Sequence, residues 1–271
     1  MITLGIDLAS RPERTAACAI EWTHGHARVI DVACGQDDAA LLERIAAADK
    51  AGLDVPFGWP DAFVDHVARF HTGGAWAGTT TLAALRFRET DRVVAARTGR
   101  WPLSVSTDLI GVPAFRAAAL LSRLHDRGHA VDRSGAGRLV EVYPAAALRL
   151  WGLASTGYKR REGRPGLTTL LADLRRRTRG WLELDAAARR LCGVSDDALD
   201  ALVAALVARA AALGLCEPPP PEHAARAARE GWVALPTTDA LDRLAGATRS
   251  ADGSAPGTGR RTSRTSTRPR P

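Results

Sequence analysis

The sequence predicts an α/β fold, a mixed sheet flanked by helices, with a helical insertion and a disordered C-terminal tail. Three observations carry that expectation. Strand-like runs at 2–7, 15–22 and 26–33 open the chain, the last two joined by the turn residues Thr23, His24 and Gly25. A stripe of helical period follows, then a short apolar strand ended by Pro56 and Pro60. Residues 247–271 are rich in Gly, Ser, Thr, Arg and Pro and hold too little apolar surface to fold.

Taken in order, the first run suits a buried strand and ends on Asp7. Asp37 and Asp38 cap and charge a helix through Ala48, with Leu41, Leu42 and Ile45 on one face. Gly52 leads into a strand that ends near Val55. This β-β-β-α-β order differs from doubly wound nucleotide folds, which begin β-α-β, and is the opening of a ribonuclease-H-like half. Helices at 61–70, 82–85, 91–97 and 109–127, with loops at 72–78 and 99–106, make an insertion or cap at about 61–133. A strand returns at 138–143, and Pro144 starts a short helix through Trp151. Helices at 166–179 and 185–191 precede a longer one at 196–213, which Ser195 caps and Gly214 ends. A helix at 222–229 and a strand at 232–235 finish one domain, 1–246, ahead of the tail. There is no internal repeat.

The chain of 271 residues carries a formal charge of +7, which suggests nucleic acid until it is divided. The tail alone holds six Arg and one Asp, so the body has 31 basic and 29 acidic residues and is close to neutral. Only Lys50 and Lys159 are lysines among the 37 basic residues, a bias better explained by coding-DNA composition than by function. Cys18, Cys34, Cys192 and Cys216 show no CxxC spacing, and no apolar leader follows the N-terminus, which favours reduced thiols and a cytoplasmic location. No run reaches the roughly 20 apolar residues needed to span a bilayer, so no membrane role is expected.

The chemistry-bearing residues are acidic. Asp7 and Asp54 close strands, while Asp197 and Asp200 sit three apart on one face of the late helix, followed by Ala201, Ala204 and Ala205, small enough to let that helix lie close to a sheet. Clustered buried carboxylates are costly unless a hard cation neutralises them, so the set points to Mg²⁺ or Mn²⁺. Asp7, Asp54 and Asp200 are the expected metal ligands, with Asp197 and Glu141 as further catalytic candidates. Each acid also has a plain reading: a loop cap after a strand, or a charge favoured in the first turn of a helix. The set as a whole is what makes the site.

In order along the chain, GIDLA, DVPFGWP, RETDR at 88–92, EVYPAAALRLWGL with YK at 158–159, DDALDALVAA and EGWVALP resemble the domain-of-unknown-function family 429, predicted nucleases of the ribonuclease-H-like superfamily. The likeness runs through residues 1 to about 236. The DxxDA step at 197–201 is also similar to the C-terminal helix of RuvC-like resolvases, where both acids help hold metal. That similarity matches Asp7 and Asp54 to the first-strand and fourth-strand acids and Asp200 to the helix acid.

The function expected from this set is hydrolysis of nucleic-acid phosphodiesters by carboxylate-held divalent ions, with Glu141 or Asp197 orienting the attacking water. Arg88 and Arg92 are expected to meet phosphate, and Tyr158 and Lys159, with Arg160 and Arg161, to grip the backbone. Surface ion pairing at a helix start is the plain alternative for Arg88, Asp91 and Arg92. The scattered tryptophans are mostly core residues, with base stacking open to one or two. His125 and His129 are i, i+4 but lack a third ligand. A rival reading is a non-catalytic nucleic-acid-binding or regulatory protein that relies on its Arg tail. An actin-like phosphotransferase is a third, weakened because Leu8, Ala9, Ser10 and Arg11 follow Asp7 where a Gly-rich phosphate turn is needed.

Overall fold

The computed structural model describes residues 1–76, 78–160 and 162–246. The expected tail and Arg161 lie outside the described residues. The chain opens with β1 (Ile2–Asp7), β2 (Ala16–Thr23), β3 (His26–Cys34), α1 (Asp38–Ala47) and β4 (Lys50–Asp54), the order expected. Next, α2 (Asp61–His71), α3 (Leu82–Arg86), α4 (Glu89–Thr98) and α5 (Gly111–Asp126) separate β4 from β5 (Leu139–Glu141). The remainder is α6 (Pro144–Leu150), α7 (Arg164–Arg177), β6 (Leu182–Glu183), α8 (Ala186–Val194), α9 (Asp196–Ala212), α10 (Ala224–Glu230) and α11 (Ala240–Arg243).

The strands form a six-stranded mixed sheet in the order β5-β4-β1-β2-β3-β6. β1 pairs antiparallel with β2 and parallel with β4, which pairs parallel with β5. Successive side chains of a strand point to opposite faces, and the core divides accordingly. Leu4 and Ile6 of β1 and Leu53 of β4 face α1 and α5, packing with Leu41, Leu42, Leu120 and Leu124. Helices α6 to α9 cover the other face over Cys18, Ile20 and Trp22 of β2. Within the stretch read as an insertion, α5 is therefore part of a core layer.

Helix α9 is buried from Ala198 through Ala210 without interruption, as a helix apolar on all sides must be. Its seat on the sheet depends on glycine. A Cβ added to Gly5 would lie 2.0 Å from the Ala201 carbonyl oxygen, and one added to Gly52 would lie 2.8 Å from that of Ala204. With Ala201, Ala204 and Ala205 opposite, helix backbone rests directly on strand backbone.

Residues 232–235, expected as a strand, do not form one: one bridge joins Glu141 to Val233, and the Val233 amide donates to Thr90 Oγ1 in place of a ladder carbonyl. The sixth strand is the two-residue β6, too short to show alternation in the sequence, which pairs with β3. No helix among the described residues is long and apolar enough to cross a membrane.

Candidate functional site

The site is built from a repeated Gly-x-Asp at the ends of two neighbouring parallel strands. Gly5 aligns with Gly52 and Asp7 with Asp54. Because side chains two apart share a face, the glycines that admit α9 and the aspartates that follow them lie on the same side of the sheet. Ser195 caps α9, accepting from the Ala198 amide at 3.2 Å, and Asp200 follows in the opening turns, above the strand ends. The three elements thus gather Asp7, Asp54 and Asp200 into one acidic cluster.

Asp200 is 1% exposed. Tyr158 donates its hydroxyl to Oδ1 at 2.8 Å, and Lys159 Nζ stands 2.6 Å from Oδ2. Each oxygen of this buried carboxylate therefore has one close partner, a phenol at Oδ1 and an ammonium at Oδ2. Burial, then repulsion by Asp54 and Asp200, holds the Asp7 carboxyl well above the carboxylate range. Asp54 is pushed up to about 7, chiefly by burial, against the pull of Lys159. Burial also raises Asp200, although Lys159 and Tyr158 oppose it. For Lys159, desolvation favours the neutral amine, but Asp200, Asp54 and Asp7 together outweigh it, and the ammonium is retained. One cation stands among three carboxyls.

Glu141 and Arg88 have a different place from the one expected. Glu141 pairs with Leu53, so its register puts it on the face of Leu53 and Leu139, opposite Gly52 and Asp54. Arg88 is 3% exposed, and all five of its N–H donors are engaged. Nε and Nη2 serve Asp91, Nη1 and Nη2 serve Glu141, and Nη1 also reaches the Glu230 carbonyl. No donor is left for a phosphate. Glu141 Oε2 also accepts from the Phe57 amide at 2.9 Å, so this buried pair fixes the turn that follows Asp54. Its role is positioning.

Asp197 pairs with Arg14 at 3.1 Å at the partly open edge of the cluster. Arg92 lies apart, donating to the Ala83 carbonyl at 3.2 Å. Tyr158 is 1% exposed and is committed to orienting Asp200 rather than to gripping a backbone. Lys159, half exposed, is the expected substrate contact that does border the acids. Glu230, not singled out beforehand, caps two helices: its carboxylate accepts from the Asp61 and Glu89 amides, both at 2.8 Å. Its place in EGWVALP, after a helix and before a glycine, was the available signal.

Whether the site suits a divalent cation is a question of donors. Hard carboxylate oxygens on Asp7, Asp54 and Asp200, mutually repelling and in excess of the positive charge beside them, are what Mg²⁺ or Mn²⁺ takes. Among the described residues no group of three or more His, Cys, Asp or Glu is already arranged to hold an ion. The donor chemistry fits.

No curated protein and no solved structure matches this chain. A family model does, over residues 5–225, a span that contains Asp7, Asp54, Asp197 and Asp200. The chain therefore belongs to the family described as Protein of unknown function (DUF429).

Proposed function

We propose that this protein is a metal-dependent nuclease that hydrolyses phosphodiester bonds of nucleic acid on a ribonuclease-H-like scaffold. The observation that carries the reading is the meeting of Asp7, Asp54 and Asp200 on one face of the sheet with a single ammonium among them. The β-β-β-α-β opening, with β1 inside the sheet and flanked by β4 and β2, supports the scaffold.

Asp7, Asp54 and Asp200 would hold the divalent ion. Bound there, Mg²⁺ or Mn²⁺ supplies Lewis-acid stabilisation of a phosphoryl oxygen and a more acidic water. The protein's own groups prepare that chemistry. Tyr158 fixes Oδ1 of Asp200, which leaves Oδ2 facing the Lys159 ammonium. Lys159 offsets the cluster's charge and presents a half-exposed ammonium to an arriving phosphate. Asp197, raised by burial and held at the edge by Arg14, is the acid placed to take a proton from water. The Arg88–Glu141 pair keeps the turn after Asp54 rigid.

The test is cleavage of labelled DNA and RNA, single-stranded and duplex, with Mg²⁺ or with chelator. Asp7→Asn is expected to lose roughly 100-fold or more of a Mg²⁺-dependent rate, the scale of removing a transition-state charge partner, while its circular dichroism is unchanged. Cleavage that survives Asp7→Asn removes the reading.

A further inference from the structure

A cleft of about 450 Å³ lies beside the acidic cluster. Leu103, Tyr143 and Lys159 line both this cleft and the smaller cavity bordered by Asp54, so the two spaces adjoin. Arg100, Arg149 and Trp101 also line the cleft. Arg149 reaches from α6 to the end of α4, its Nη2 standing 3.8 Å from where a Cβ on Gly99 would sit, next to Arg100. Both arginines are exposed, and neither comes within 4.0 Å of a carboxylate among the described residues. Two guanidinium groups on one cleft without a counter-charge favour an anion between them, and their fork geometry suits phosphate.

The aromatic residue is equally specific. Trp101 is 53% exposed, and its ring lies 4.3 Å from that of Phe87, tilted by 35°. The Arg86 guanidinium stands 5.0 Å from the Phe87 ring. A tryptophan braced from behind and open to solvent is a stacking platform, unlike the buried Trp151.

We propose that this cleft binds the nucleotide next to the scissile phosphodiester of a single-stranded nucleic acid, with Arg100 and Arg149 on its phosphate and Trp101 stacked on its base. The assignment rests on the nuclease reading for the kind of substrate, though not for the occurrence of cleavage. A single strand is required because a base held in a duplex is already stacked and does not lie flat on Trp101. The cleft volume falls in the range of small-ligand sites.

Binding of fluorescein-labelled oligothymidine and oligouridine of roughly ten nucleotides, and of a matching duplex, is followed by anisotropy in chelator. The full chain carries Asp7→Asn throughout. Adding Arg100→Ala with Arg149→Ala is expected to weaken single-strand binding about tenfold and to shallow its salt dependence. Trp101→Ala is expected to weaken it about fivefold or more while leaving duplex binding alone. The two oligonucleotides decide between DNA and RNA. All three positions are exposed, and equal melting temperatures check the fold. No single-strand binding at all, an unchanged affinity in the double variant, or an equal loss on duplex with Trp101→Ala overturns the proposal. Binding that depends on the cleft in a wild-type chain that never cleaves would defeat the nuclease reading and keep the cleft. Mg²⁺-dependent cleavage with a KM indifferent to the double variant would do the reverse.

Discussion

Asp54 stands beside Asp7 on the adjacent strand and faces Asp200, and that crowding has a measurable consequence without any metal. A carboxyl whose folded pKa exceeds its unfolded value holds more protons folded than unfolded. Its contribution is then favourable at low pH and is lost as pH rises toward the folded value. For Asp54 the window runs from 3.8 to about 7, and the raised Asp7 and Asp200 act in the same direction. In chelator, stability should therefore fall across that window, and Asp54→Asn should flatten the fall. At pH 8 the variant is expected to gain about 1 to 2 kcal/mol, roughly 2 to 8 °C in Tm. A wild-type profile level from pH 4 to 8 would mean that the acids do not interact. Arg88 is the opposite case, a cation fully matched by Glu141 and Asp91. Arg88→Ala strands two buried carboxylates and should cost about 3 to 5 kcal/mol in urea unfolding. A loss near zero would show that the network is dispensable.

At the scale of elements, the site follows from how closely α9 approaches β1 and β4. Gly5→Ala puts a methyl group into the helix backbone at Ala201 and Ala205, and neither side can yield. The expected cost is about 3 kcal/mol, with loss of any metal-induced stabilisation, because Asp200 is lifted with the helix. Wild-type stability in that variant would contradict the seat described for α9. The opening strands, the long helix and its Ser195 cap were legible from alternation and capping residues, and the small residues after Asp200 foretold a close approach. The GID and GLD strings held more: each spaces a glycine two residues before an aspartate, which with parallel pairing puts both acids under the helix. Glu141 was misplaced because a three-residue strand gives no register, and register decides which face a side chain takes. Arg88 read either as a phosphate donor or as an ion-pair partner of Asp91 at a helix start; the Asp91 pair forms, while the partners that bury it lie 53 and 142 residues away, beyond local spacing.

For the molecule as a whole, charge is distributed so that the domain is nearly neutral while buried acids gather at one end of the sheet. There the acids of three elements meet Lys159, and the arginines of the adjoining cleft lie a short distance beyond. An anionic pocket next to a cationic one suits a substrate that is a polyanion bridged to the protein by a cation. The anionic pocket was legible along the chain, whereas the cationic one was not, since Arg100 follows α4, Arg149 lies in α6 and Trp101 has no periodic neighbours. The proposed function depends on joint capture of a divalent cation by Asp7, Asp54 and Asp200. The most direct measurement of that capture is isothermal titration of the metal-free full chain with Mn²⁺, in parallel with Asp7→Asn and Asp200→Asn. Saturable binding by the wild type that both substitutions abolish is the predicted result. Mn²⁺ binding of equal strength in Asp200→Asn, or none in the wild type, would contradict it.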